Sequence, residues 1–215
     1  MNPSSPTAPP PFGLANLHEV PLDARHQAIL EAAKRGCGGP VACRQRQGAE
    51  AHDLLALAQL SGRLQVHWLD LAAGLRAQVE MQTPVPCLPD PAGPVRIAPR
   101  ALLGLRYPQE AMFTPQPGYA FVCILLPRQV WLSNVSHDAN QALCLGARLP
   151  AGIPLKEIVL MTYGALTMQT TQLDLLDPAG VLNAEAALWW QLPNNTRQIP
   201  LSREPFLLPK ANHAA

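Results

Sequence analysis

The stretch "NVSHDANQALCLG", residues 134–146, holds a thiol (Cys144), an imidazole (His137) and two carboxamides (Asn134 and Asn140). Two readings of Cys144 follow from its neighbours. Flanked by Leu143 and Leu145, it fits a small buried residue, a common place for cysteine. It also fits a nucleophile, which works as the thiolate. A cysteine hydrolase needs a base paired to the sulfur and a third group orienting that base. His137 lies seven residues upstream in a polar loop, and no cysteine-protease signature surrounds Cys144. The segment has no lysine, and its nearest arginine is Arg148.

These groups depend on the elements that hold them. "PLDARHQAILEAAKR" (21–35) predicts a helix, with Pro21 and Asp23 at its start, Lys34 and Arg35 at its end and Gly36 stopping it. "GAEAHDLLALAQLSG" (48–62) predicts a second, with Leu54, Leu55, Leu57 and Leu60 on its apolar side. "RLQVHWLDL" alternates Leu64, Val66 and Trp68 as a strand does, and "GLRAQVEMQ" is placed to pair with it across "AAG".

A proline-rich loop (84–94) precedes "VRIAPRALLGLRYP", where Pro99 implies an edge or a bulge. "GYAFVCILLP" (118–127) reads as a buried central strand with Cys123 in the core. Segment 128–153 has no period. Pro154 opens a helix over 153–169 with Ile158, Leu160, Met161 and Leu166 inward. Asn183 is placed to cap a final helix over 182–192, in which Trp189 and Trp190 cannot both face the core. Consecutive strands between helices at the two ends predict an α+β fold around an antiparallel four-stranded meander.

Composition narrows the function classes. The 215 residues are 48% hydrophobic and 14% charged, with a net charge of +1. This chain can bury a core, and no basic field favours nucleic acid or an anionic membrane. No apolar run approaches the roughly 20 residues of a membrane helix, and no secretory signal is visible, so a cytoplasmic protein is expected. Five scattered cysteines argue against a disulfide framework. Cys37 and Cys43 lack the short-spaced pairing of a structural zinc site, and no metal or cofactor is expected. Many of the 24 prolines fall in "NPSSPTAPPPFG", "TPVPCLPDPAGP" and "FTPQPG", which read as tail or loop.

Four stretches in this order resemble ubiquitin-conjugating enzymes, and the bacterial members of that family more than the eukaryotic ones. "ALCLG" is similar to the segment carrying the family's thioester cysteine, with Cys144 in its place. "YPQEAMFTPQPGYAFV" resembles the turn into the last strand. "DPAGVLNAEAALWW" resembles the Asp-Pro turn and helix beyond the cysteine, and the spacing from Cys144 to Asp177 is close to the family's. The His-Pro-Asn motif departs: the matching tripeptide "LSN" (132–134) keeps only Asn134. The loop to the cysteine is about two residues longer than usual, and Gln141 stands where a glycine is common.

The resemblance covers about residues 48–192. It implies a catalytic domain there, preceded by a proline-rich tail and extra helix (1–47) and followed by a C-terminal tail (193–215). It implies a transferase that takes a ubiquitin-like protein from an activating enzyme as a thioester on Cys144 and passes it to a target amine. In bacteria, such proteins belong to conjugation systems, several of them directed against phage. Asn134 is the expected oxyanion donor, with Asn140 as alternative; losing such a donor typically costs about 10²–10³ in rate. Asp177 is expected to orient the attacking lysine, and His137 is a candidate base. An inactive member of the same fold, binding a ubiquitin-like protein or its activating enzyme, is the alternative reading.

Overall fold

Asp23 sets the first helix. Its carboxylate accepts a 2.9 Å hydrogen bond from the His26 amide and so satisfies one of the orphan donors at the start of α1 (Ala24–Lys34). The computed structural model describes residues 14–170, 173–174, 180–199 and 201–207. A 3-10 segment, Leu14–Glu19, precedes α1 and buries Leu17 against the core, so this part of the expected tail is packed structure. Helix α2 (Val41–Leu60) begins directly after Pro40, seven residues earlier than its apolar pattern announces. The polar turns "VACRQRQ" carry no leucine stripe, yet they continue the same backbone ladder. The expected domain boundary at 47/48 therefore falls inside α2.

Four strands follow: β1 (Leu64–Asp70), β2 (Leu75–Met81), β3 (Val85–Cys87) and β4 (Arg96–Ala98). Then come β5 (Ala101–Tyr107), β6 (Gln116–Pro117), β7 (Val122–Leu126) and β8 (Arg148–Leu149). The main sheet has the order β1-β2-β5-β7, antiparallel throughout. Helix α2 and the helices after the sheet, α3 (Leu155–Leu166), α4 (Ala184–Gln191) and α5 (Pro193–Gln198), complete an α+β architecture. The core joins Leu54, Leu55 and Leu57 of α2 to Val79, Leu103 and Ile124 of the sheet and Ile158 of α3.

Several expectations are corrected. The register of β1 on β2 shifts between Val66 and Trp68, which turns Leu69 inward and leaves Trp68 49% exposed. A bulge adds one residue, and with a side-chain period of two that moves everything beyond it to the other face. The expected loop 84–94 is not a plain loop, because β3 within it pairs with β4 as a hairpin inserted between β2 and β5. β7 is an edge strand of the four, not a central one; Val122 and Ile124 face the core, while Cys123 and Leu125 are only half-buried on the opposite face. In α3, Leu160 and Met161 are half-buried, and Val159, Thr162 and Tyr163 take the inward positions.

The C-terminal stretch is likewise more than a tail. Phe206 is buried, with its ring edge-on to Tyr163 at 5.3 Å. Arg63 donates to the Pro205 and Gln82 carbonyls, pairs with Glu204 and lies over the Tyr163 ring at 5.7 Å. Among the described residues, no helix is long and apolar enough to cross a membrane.

Candidate functional site

Gln141 organises the loop that carries the thiol. Its backbone is left-handed, with φ at 46°, and its side chain is buried. The carboxamide donates to the carbonyls of Ile124 (3.0 Å) and Pro127 (2.9 Å) and accepts from the Val130 amide (2.9 Å). Each of those backbone groups would otherwise be an unmet buried polar atom. The sequence reading singled out position 141 as a common glycine position. The left-handed backbone shows why glycine suits it, and the three side-chain bonds show what glutamine adds.

From Gln141 onward the chain runs along β7. The Ile124 amide donates to the Gln141 carbonyl at 3.0 Å, and the Leu143 amide donates to the Val122 carbonyl at 2.9 Å. On its other side the Cys144 amide donates to the Asn134 carbonyl at 2.8 Å, and the Leu145 amide reaches the Gly118 carbonyl at 3.3 Å. Cys144 is thus bonded to the Asn134 end of the loop, between Leu143, paired to the sheet edge, and Leu145, bonded to the turn ahead of β7. The Asn134 end is fixed by the last helices. The amides of Leu182 and Asn183 both donate to the Ser133 carbonyl, at 2.8 and 2.9 Å. Asn183 caps α4 as expected, accepting from the Ala186 amide at 3.0 Å. Trp190, fully buried, donates its indole N–H to the Trp131 carbonyl at 2.7 Å, whereas Trp189 is half-buried.

Cys144 is 6% exposed and Asn134 3%. Both line a cavity of 170 Å³, whose remaining wall includes Gly146, Met161, Ala165 and Gly180. The sulfur lies 3.4 Å from the Gly146 carbonyl oxygen. Among the described lining residues, only Cys144 carries an ionisable group. The Asn134 Oδ1 atom is buried and has no hydrogen-bond partner among the described residues. An Asn carboxamide has an acceptor end and a donor end, exchanged by rotation of its last torsion, so it can also turn an N–H toward the cavity.

The other expected site residues lie elsewhere. His137 is exposed, its ring packs on Trp131 at a centroid distance of 5.7 Å, and it lines two cavities that Cys144 does not share. Asn140 is exposed in the Asp138 turn, where its amide donates to the Asp138 carboxylate at 2.9 Å. The structure brings Asn134, and neither His137 nor Asn140, into the cavity of the thiol. Asp177 lies outside the described residues; in sequence it falls between Thr170 and Gly180, both of which line that cavity.

The helix that supplies Met161 and Ala165 is held by a residue the sequence reading passed over. Glu50 of α2 is buried, accepts from the Leu155 amide at 2.7 Å and pairs with Arg46 at 2.5 Å. Burial pushes its carboxyl above the ordinary value, and the Leu155 hydrogen bond and the Arg46 charge offset this only in part. A glutamate inside a predicted helix gives no sign that it caps another helix 105 residues away.

No group of three or more metal-ligating side chains is clustered among the described residues. Comparison with protein-family models, with curated proteins and with solved structures gave no match to this chain.

Proposed function

We propose that the chain is a ubiquitin-conjugating-like transferase of bacterial type, with Cys144 as the thioester-accepting thiol, working in a conjugation system of the antiphage kind. The observation that carries the reading is that Cys144 and Asn134 line one small cavity, with the Cys144 amide bonded to the Asn134 carbonyl. An acyl carrier needs only an accessible thiol and a polarising amide. The four-stranded antiparallel sheet, preceded by α2 and followed by α3 and α4, suits the layout that the sequence resemblance implies.

In the first step the Cys144 thiolate attacks the thioester carbon of the activated ubiquitin-like protein. A new S–C bond forms and the activating enzyme's thiolate leaves with the electron pair. In the second, a target amine attacks that carbon. The oxyanion that develops takes a hydrogen bond from the Asn134 carboxamide, and collapse expels the Cys144 thiolate as the amine's proton passes to water. The small residues Gly146, Ala165 and Gly180 in the wall leave room for a narrow peptide terminus.

The test is a non-reducing gel of the full chain with ATP, its activating enzyme and its ubiquitin-like partner. The wild type is expected to give a thiol-sensitive adduct, Cys144→Ser a thiol-resistant ester, and Cys144→Ala none. An adduct surviving in Cys144→Ala refutes the reading.

The low exposure of Cys144 favours one second reading, a binding module on the same fold. It is supported if the wild type forms no adduct, yet binds the ubiquitin-like protein with the same affinity as Cys144→Ala.

A further inference from the structure

A second cavity, of 540 Å³, lies between the inserted β3–β4 hairpin and α4. It is within the size range of ligand sites and has the composition of one: apolar walls with a few polar groups. Trp131 and Trp189 supply aromatic surface, Pro91 and Val95 come from the loop of the hairpin, and Glu185 supplies a carboxylate. No lysine or arginine is among its described lining residues; its one imidazole, His137, packs on the Trp131 ring at 5.7 Å, and Glu185 makes no ion pair among the described residues. Trp131 is 7% exposed, and its indole N–H has no hydrogen-bond partner among the described residues.

From this we infer that the cavity seats a lysine or arginine side chain of the protein that accepts the transferred group. Indole faces attract a cation through their quadrupole, most strongly when water is excluded, and a lone carboxylate at the rim completes the charge match. The aliphatic stem of the side chain lies along Val95 and Pro91 while its charged end meets Glu185 and the indoles. The position fits an acceptor segment. Trp131 is three residues from Asn134, so their Cα atoms are at most about 11 Å apart. Asn134 is itself bonded to the Cys144 backbone. That separation is within the reach of an extended segment of about five residues. The identity of the occupant as the acceptor rests on the transfer reading above; the cation specificity of the cavity does not.

The test uses the full ¹⁵N-labelled chain without activating enzyme or ubiquitin-like partner, and follows the tryptophan indole N–H signals. The probes are acetyl-Ala-Ala-Lys-Ala-Ala-amide and its norleucine and glutamate counterparts. The lysine peptide is expected to shift the Trp131 and Trp189 signals saturably. Binding should fall at least about fivefold for norleucine and for the Glu185→Gln chain, and should weaken with added salt. Glu185 is exposed, so its substitution leaves the fold intact; Trp189→Leu gives a second variant with the same expected loss. Equal binding of the norleucine peptide, an unchanged Glu185→Gln chain, or no saturable shift each overturns the inference. A chain that binds the peptide yet forms no thioester adduct keeps the cavity and removes the transfer reading. A chain that forms the adduct without binding the peptide does the reverse.

Discussion

Gly118 packs so closely on the backbone of Gly146 that no side chain fits on it. A Cβ on Gly118 would stand 2.1 Å from the Gly146 carbonyl oxygen, the same oxygen that faces the Cys144 sulfur at 3.4 Å. Backbone, not a flexible side-chain end, occupies the space. The Gly118→Ala chain is therefore expected to lose about 3 kcal/mol or more of stability, or to displace the thiol loop. A shifted urea midpoint, together with a changed alkylation rate at Cys144, checks this. An unchanged midpoint and rate would show that the loop is looser than the structure has it.

Gln141 separates two effects that usually come together. Gln141→Ala removes three hydrogen bonds to buried backbone groups and keeps a side chain at a left-handed φ, at an expected cost of about 2–4 kcal/mol. Gln141→Gly loses the same bonds without the backbone strain and should be more stable than the alanine chain by about 0.5–1 kcal/mol. Denaturant unfolding of the three chains gives the order; alanine above glycine would contradict it.

Glu50 gives a pH dependence with a defined sign. Its carboxyl titrates above the ordinary 4.5 in the folded chain, chiefly because it is buried. Between 4.5 and that raised value the folded chain holds the proton while the unfolded chain has lost it. Stability from this group is thus greatest below the window and falls as pH rises through it. Glu50→Gln keeps an oxygen for the Leu155 amide and removes the titration, so its urea midpoint should lack that fall. Parallel profiles for the two chains would remove Glu50 as the cause.

Arg63 holds the C-terminal stretch by donating to the Pro205 carbonyl and pairing with Glu204, and is itself placed by the Gln82 carbonyl and the Tyr163 ring. Arg63→Ala leaves those carbonyls without their donor and frees residues 201–207 from one side, although Tyr163 still donates to the Glu204 carbonyl at 2.6 Å. A loss of about 2–4 kcal/mol is expected, with faster proteolytic cutting after residue 200. Equal cutting rates in the two chains would show that Tyr163 and Phe206 suffice.

The α+β order was legible because each element carries its own local signal. Asn183 caps α4 by a bond to a residue three positions on, and a residue pattern is enough to see that. The meander was legible for a similar reason, since "AAG" joins two alternating runs directly. Features set by distant partners were not. Trp68 continues the alternation of β1 on paper, but the bulge that turns it outward exists only against β2. "GYAFVCILLP" is apolar enough for a central strand, and only the pairing shows that β7 is the last of four. The hairpin β3–β4 hides in proline-rich sequence because its short strands carry almost no pattern. In the site, Cys144 and Asn134 were legible as residue types, while their shared cavity and the separation of His137 from it depend on Gln141, Ser133 and Trp190. None of these three draws notice in the sequence as a partner of the loop.

β7 ends the sheet, and its outer rim of amides and carbonyls is met by Gln141 and Leu143 from the thiol loop. A bare strand rim is a template on which a second chain can stack, and such rims are a common origin of aggregates. Here the same few residues shield that rim and carry the thiol. Substitutions that free the thiol loop for easier access will therefore also strip the rim, and insolubility will accompany any gain in reach.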